Sequence, residues 1–313
     1  MSALLFPGQG SQVVGMGSDF YANFDLVKKI FKQADEKLDY PISKLILEGP
    51  EDELQLTKNT QPAILTVSFS IFKVLRDEFG FDTSAFKFFA GHSLGEYSAL
   101  VCSHSLNFTD AIYLLHERGK AMQEAVPVGK GSMIAVLGIK TKQIIDLLKN
   151  LNNNTAICEI ANDNAEGQVI LSGDRESIDQ FKILLKEKKI KTIPLKVSAP
   201  FHCSLMKPAA ESMEKKINNT EFKNPSFKII NNVTANPENN SDVIKKLLVK
   251  QIYSTVKWRE SLIKMNETGV KNFIEIGPGK ALIGMVKRTI KEANCFSINS
   301  ITDMKNFVDE FKR

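Results

Sequence analysis

The sequence predicts an α/β protein in two parts: a large α/β-hydrolase-like subdomain with a mainly parallel sheet, and a small ferredoxin-like (βαββαβ) subdomain inserted into it. Three observations carry this. Short apolar runs alternate with longer amphipathic stretches through the first part of the chain, the pattern of a parallel sheet covered by helices. After Pro127-Val128-Gly129-Lys130-Gly131 the rhythm changes to strand, helix, strand, strand, helix, strand. The first pattern then resumes. The boundaries expected are 1–127 and 198–313 for the large subdomain and 128–197 for the small one.

The elements follow in order. Residues 3–6 are an apolar run that reads as a buried strand. Residues 22–38 and 61–79 carry helical periodicity, 87–90 are a second strand, and a helix follows directly after it. Residues 109–123 form the next helix, with Thr109 as N-cap and Asp110 favourable in the first turn. In the insertion the strands are expected at 132–137, 156–161, 168–172 and 191–197, and the helices at 141–151 and 176–188. The large subdomain resumes with strands at 227–233 and 273–276. The Asn-rich stretch 237–241 reads as a short loop.

Composition bounds the function classes. The 313 residues are 43% hydrophobic and 25% charged, as in an ordinary globular enzyme with a sizeable core. Four cysteines (Cys102, Cys158, Cys203 and Cys295) lack C-x-x-C spacing, so neither a disulfide framework nor a zinc site is expected. No stretch reaches membrane-span length, and the N-terminus lacks the basic flank of a signal peptide, so the expected location is the cytoplasm. The net charge is +5, with lysines clustered at 186–191, 215–216 and 245–246. Such clusters are solvated helix faces or a docking surface for an acidic partner. They lack the interleaved aromatics of a nucleic-acid surface.

The most informative motif is Gly91-His92-Ser93-Leu94-Gly95. Between a strand and a helix, G-x-S-x-G is a nucleophile elbow, an α/β-hydrolase-like feature that presents a serine hydroxyl at a helix N-terminus. A serine needs a base, and the chain has four histidines. His92 adjoins Ser93 and points away from it. His104 lies in a Ser-rich loop and His116 in mid-helix. His202 lies just beyond the strand closing the insertion, where the two parts meet; from the residues alone it is either the base or a hydrogen-bonded loop histidine. Other motifs are weaker. Gly8-Gln9-Gly10-Ser11-Gln12-Val13 lacks the third glycine of a dinucleotide fingerprint, and Gly277-Pro278-Gly279-Lys280-Ala281 is not a P-loop. His202-Cys203 has no partners at metal-ligand spacing.

With these pieces in hand the sequence resembles the malonyl-CoA:acyl-carrier-protein transacylases of fatty acid and polyketide synthesis. The motifs that carry this run along nearly the whole chain. They are Phe6-Pro7-Gly8-Gln9-Gly10-Ser11-Gln12, Thr60-Gln61-Pro62-Ala63, Gly91-His92-Ser93-Leu94-Gly95-Glu96, Arg118-Gly119-Lys120 and Met122-Gln123. Asn164 with Gly167-Gln168-Val169, Pro200-Phe201-His202, Gln251, Trp258 and Glu275-Ile276-Gly277-Pro278-Gly279-Lys280 complete the series.

The resemblance implies Ser93 as nucleophile and His202 as general base and then acid, with the main-chain carbonyl of Gln251 orienting the imidazole in place of a carboxylate. It implies an oxyanion hole from the N–H groups of Gln12 and Leu94. Arg118 would grip the free carboxylate of malonate, and Met122, Asn164, Gln168 and Phe201 would line the substrate site. It further implies malonyl-CoA and CoA as substrate and product, an acidic, transiently bound acyl carrier protein, no external cofactor, no metal, no nucleic acid, no membrane and a monomer.

Two other classes compete. A serine hydrolase would need an acid from the insertion (Asp163 or Asp174). A silent scaffold that binds carrier protein would not need Ser93, His202 and Arg118 together. Within the favoured class, supply of a polyketide synthase is the alternative to fatty acid synthesis.

Overall fold

The computed structural model describes residues 1–149, 157–195, 197 and 199–311. Among the described residues ten strands form two sheets: β1 (Ser2–Phe6), β2 (Phe86–Gly91), β3 (Gly131–Leu137), β4 (Cys158–Ala165), β5 (Gln168–Asp174), β6 (Lys191–Pro194), β7 (Lys228–Ile230), β8 (Pro237–Glu238), β9 (Asn272–Ile276) and β10 (Asn294–Ile298). The larger sheet has the order β10-β9-β1-β2-β7-β8 and is parallel except for the β7–β8 pair. β1 is buried along its whole length and β2 at all but Lys87, as expected of parallel strands covered on both faces. The smaller sheet is antiparallel with the order β4-β5-β3-β6, and helices Thr141–Lys149 and Arg175–Glu187 complete its βαββαβ unit. The α/β fold with a mainly parallel sheet and a separate antiparallel one is thus as the sequence predicts.

The two sheets are joined by backbone and charge. Asp163 N–H donates to the Val256 carbonyl at 3.0 Å, and Val256 N–H donates to the Ala161 carbonyl at 2.8 Å. The carboxylate of Asp163 takes a forked contact from Arg259 at 2.8 to 3.1 Å. Beneath the larger sheet, helices Thr57–Lys73, Gly95–Cys102 and Phe108–Glu124 pack closely, and Gly95–Cys102 is buried on every side. A helix buried all round belongs in the middle of a core, and its polar Glu96 and Ser98 are carried in with it. No helix among the described residues is long and apolar enough to cross a membrane.

Several local expectations are corrected. The helix expected at 22–38 is two, Ser18–Asn23 and Asp25–Leu38, because Phe24 is extended. The helix expected at 61–79 starts at Thr57 and ends at Lys73 in a π turn over Val74–Glu78. Asn107, not Thr109, precedes the helix Phe108–Glu124, and its side chain makes no capping bond. The strand expected at 227–233 stops at Ile230. There Asn231 Oδ1 accepts from Val233 N–H at 2.8 Å and Thr234 N–H at 3.2 Å, an Asn turn that competes with the ladder. That turn brings Pro237–Glu238, read as loop, back against β7. β6 ends at Pro194, short of the expected 197. Residues 150–156, parts of a predicted helix and strand, lie outside the described residues. β10 was not anticipated.

Candidate active site

Ser93 stands between the carboxyl end of β2 and the helix Gly95–Cys102, with a left-handed φ of 54°. Such a backbone costs energy for a non-glycine residue and lifts the side chain out of the turn. Space forces the flanking glycines. A Cβ on Gly91 would lie 1.9 Å from the Gly95 carbonyl, and one on Gly95 would lie 2.3 Å from the Phe6 oxygen. The turn is therefore pressed against the end of β1. Ser93 N–H donates to Asn232 Oδ1 at 2.7 Å, and His92 N–H donates to the Phe6 carbonyl at 3.0 Å, which pins the elbow from both sides.

Across the cavity His202, also left-handed with φ 58°, approaches from the loop beyond the small sheet. Its Nε2 lies 2.8 Å from Ser93 Oγ, and its Nδ1 lies 2.9 Å from the Gln251 carbonyl. A carbonyl only accepts, so Nδ1 carries the proton and Nε2 faces the hydroxyl with a free lone pair. Burial, reinforced by the Arg118 charge, pushes the His202 imidazole down to about 3. At neutral pH it is a neutral acceptor.

Arg118 projects from the helix Phe108–Glu124 into the same space and is 1% exposed. Nη2 donates to Ser93 Oγ at 3.1 Å and to Gln251 Oε1 at 2.9 Å, and Nη1 donates to Gln61 Oε1 at 2.6 Å. All three acceptors are uncharged, and Nε has no partner among the described residues. A guanidinium so placed is desolvated without a carboxylate in contact, which leaves it ready for an anion.

The cavity holds about 110 Å³ and is lined by Gln9, Gln61, His92, Ser93, Leu94, Arg118, Met122, Met133, Asn162, Leu195, Val197, Phe201 and His202. Ser93, Leu94, Arg118, Met122, Phe201 and His202 are thus brought together, and Gln251 lies directly behind them. Leu94 N–H and Gln9 N–H donate to no protein acceptor among the described residues. A second, 340 Å³ cavity lies beside Lys73, Arg76 and His104, away from Ser93.

Three expected site residues are not at the cavity. Gln12 folds back on its own loop, its Oε1 accepting from Gly10 N–H at 2.7 Å; Gln9 holds the lining position instead. Asn164 bonds His92 Nε2 at 2.8 Å, one residue removed from the cavity, while Asn162 on the same strand reaches it. A strand alternates its faces, and the irregular register around Asp163 decides which asparagine points inward. Gln168 turns outward, where its Oε1 accepts from Arg288 Nη1 at 2.8 Å.

The other candidate bases and acids are engaged elsewhere. His104 meets Arg76 at 3.0 Å on the surface, and His116 Nδ1 donates to the Lys58 carbonyl at 3.1 Å. Asp163 pairs with Arg259, and Asp174 caps the helix Arg175–Glu187, so neither touches His202. Among the described residues no three metal-ligating side chains come together. Sequence reading missed Gln9, Gln61, Asn162, Asn232 and Glu96. Gln9, Gln61 and Glu96 stood inside motifs already quoted, whereas Asn162 and Asn232 gave no signal.

A serine and a neutral histidine joined by a hydrogen bond, beside a buried guanidinium, can support acyl transfer from a substrate that carries a negative charge. The comparisons agree on the class. The sequence model of the acyl transferase domain matches residues 3–313. The malonyl CoA-acyl carrier protein transacylase of Haemophilus influenzae is 41% identical over 310 residues, covering 99% of this chain and 98% of that protein. Its Escherichia coli K12 counterpart is 39% identical over 303 residues, covering 96% and 97%. Among solved structures, the acyl-carrier-protein S-malonyltransferase of Bartonella henselae superposes with a TM-score of 0.96 at 36% identity, covering 100% and 99%. A malonyl-transacylase in complex with a type II PKS acyl-carrier protein does so with a TM-score of 0.94 at 38% identity, covering 99% of both chains. This chain is an acyltransferase. It belongs to the malonyl CoA-acyl carrier protein transacylase family.

Proposed function

We propose that the protein transfers the malonyl group of malonyl-CoA to the phosphopantetheine thiol of acyl carrier protein in fatty acid biosynthesis, by way of a malonyl ester on Ser93. The observation that carries this reading is Arg118, buried and bonded to the nucleophile itself, with only neutral acceptors around it. A planar guanidinium fork matches a carboxylate, and the free carboxylate of malonate supplies one. Acetyl-CoA has none, so binding it would leave the cation desolvated and unpaired.

In the first half-reaction Ser93 Oγ attacks the thioester carbon while its proton passes to His202 Nε2. The Gln251 carbonyl holds the imidazolium at Nδ1, as the carboxylate of a triad does. The thioester oxygen, now negative, is received by the N–H groups of Leu94 and Gln9. Gln9 takes the place expected for Gln12 because it lines the cavity. The C–S bond breaks, and CoA leaves with the proton from His202. In the second half-reaction the carrier thiol gives its proton to His202 and attacks the ester carbon. The C–O bond breaks and the proton returns to Ser93 Oγ. Met122, Asn162 and Phe201 shape the acyl pocket, and His92 is held by Asn164 and by Trp258 edge-on at 5.5 Å. The chemistry is complete without a cofactor.

The carrier protein is acidic and binds transiently; the protein's net charge of +5 favours the encounter. We read the enzyme as a cytoplasmic monomer divided at residues 128 and 197. Supply of a polyketide synthase is the second reading, prompted by the likeness to the complex with a type II PKS carrier protein.

The test is intact-protein mass spectrometry with malonyl-CoA, followed by addition of holo carrier protein. Wild type should gain one malonyl group and pass it on, and Ser93→Ala should gain none. Labelling of Ser93→Ala, or malonyl-CoA breakdown that proceeds as fast without carrier protein, overturns the reading.

A further inference from the structure

Among the buried charged groups that the mechanism above does not use, Glu96 lies nearest the reacting residues through its hydrogen bonds. Glu96, the second residue of the helix after the elbow, is 0% exposed. Its Oε1 accepts from Asn231 Nδ2 at 2.7 Å, and its Oε2 accepts from Asn232 N–H at 3.1 Å and Gln251 Nε2 at 2.8 Å. These partners are donors to a group that only accepts when ionised, which selects the carboxylate form. Two of them, Gln251 and Asn232, lead on to the reacting residues. Gln251 Oε1 holds Arg118 Nη2 and its main-chain carbonyl holds His202 Nδ1. Asn232 Oδ1 holds Ser93 N–H, while its Nδ2 donates to the Gly91 carbonyl at 2.8 Å.

We propose that Glu96 is a positioning residue: its carboxylate locks the orientation of Gln251 and Asn232, and through them sets Ser93, His202 and Arg118 in register at once. The inference rests on the acyl-serine reading. Because the amide of Gln251 gives its N–H to Glu96, its oxygen is the end left to face Arg118. Protonating Glu96 would set an O–H against one of the donors and leave the amide held by only its longer contacts, from Nε2 to the Ser93 carbonyl at 3.2 Å and to Asn232 Oδ1 at 3.4 Å, so that it can turn over. Arg118 then meets an NH₂ group, and the segment carrying the histidine's acceptor loses its anchor. The charged or titratable groups facing Glu96 are Arg118, from the helix Phe108–Glu124, and Tyr97 on its own helix; Asn231, Asn232 and Gln251 are uncharged. Burial pushes the Glu96 carboxyl up to about 7, against the pull of its donors and of Arg118. His202 stays neutral far below that. An acid limb near neutrality in the acylation rate would therefore report Glu96.

The test is the rate of malonyl-Ser93 formation, by rapid quench and intact mass, between pH 5.5 and 8.5 in wild type, Glu96→Gln and Asn231→Asp, with thermal melting for each. Wild type should lose rate as pH falls through the Glu96 titration. Glu96→Gln should acylate on the order of 10- to 100-fold more slowly with that limb gone, an effect that mere loss of folded protein would not produce. Asn231→Asp keeps the Oδ1 that supports the turn at Val233 but replaces a donor to Glu96 with an anion, and should move the limb to higher pH. Where Glu96→Gln fails to melt cooperatively, this shift decides. A folded Glu96→Gln that acylates within twofold of wild type, a limb that persists in it, or an unmoved limb in Asn231→Asp overturns the inference while the acyl-serine reading stands. Wild type that takes up no malonyl overturns both.

Discussion

Arg118 Nη2 lies 3.1 Å from Ser93 Oγ, so the cation proposed to select the substrate touches the atom proposed to attack it. Recognition and chemistry are thereby one hydrogen bond apart.

Arg118→Ala should therefore damage malonyl transfer far more than acetyl transfer. Losing the charged, forked contact removes about 3 kcal/mol from the malonyl transition state, roughly a hundredfold. Arg118→Lys should recover little, since an ammonium cannot match both oxygens. Competing the two CoA thioesters and comparing kcat/KM checks this; an unchanged acetyl-to-malonyl ratio would sink the clamp.

The pH dependence of stability follows from His202. Its folded value of about 3 lies below its ordinary 6.5. Between these values the unfolded chain takes up a proton that the folded protein refuses. The contribution is fully present above pH 6.5 and is lost as pH falls toward 3, by up to about 1.4 kcal/mol per pH unit inside that window. Denaturation midpoints measured from pH 7 to pH 4 should fall less steeply for His202→Asn than for wild type. Parallel slopes would contradict the assignment.

Gly91→Ala tests the elbow as a packing problem. The added methyl meets the Gly95 carbonyl at 1.9 Å, and backbone cannot swing aside as a side chain does. We expect destabilisation of about 3 kcal/mol or more, read as a lowered melting temperature together with loss of acylation. A variant that melts with wild type would refute the close approach.

Arg259→Ala should loosen the join between the two sheets. Asp163 is 4% exposed at its side chain and takes the Arg259 fork. Arg259 is 22% exposed and Thr141 Oγ1 still donates to Asp163 at 3.0 Å, so losing the fork should cost about 1 to 2 kcal/mol, less than for a fully buried pair. Hydrogen exchange at the Asp163 and Val256 amides, which tie β4 to the larger subdomain, should quicken before global unfolding. Unaltered protection there would count against the join.

Much of this molecule is local information. The alternating patterns, the Gly91–Gly95 turn and the switch of rhythm after Gly131 are written in neighbouring residues, because strand and helix periods and the room a turn leaves are short-range constraints. Element ends were less legible. β7 stops at Ile230 because Asn231 caps its own turn, and Phe24 breaks a helix that its periodicity would continue. The family too could be read from motifs, and with it the residue types of the site.

Which of two similar residues faces the cavity could not. Gln9 and Gln12 stand three apart in one loop, and Asn162 and Asn164 two apart on one strand. Only the packing of β1 against the elbow, and the register of β4 on Val256, chose between them. Glu96 carried no role of its own in the sequence beyond ending a motif; the turn at Asn231 and Asn232 makes it the hub of a buried network. The sequence by itself determined the kinds of group present and the chemistry they permit. The tertiary structure decided which of them meet, because burial and hydrogen-bond partnership are properties of residues 100 or more positions apart, such as Ser93 and His202.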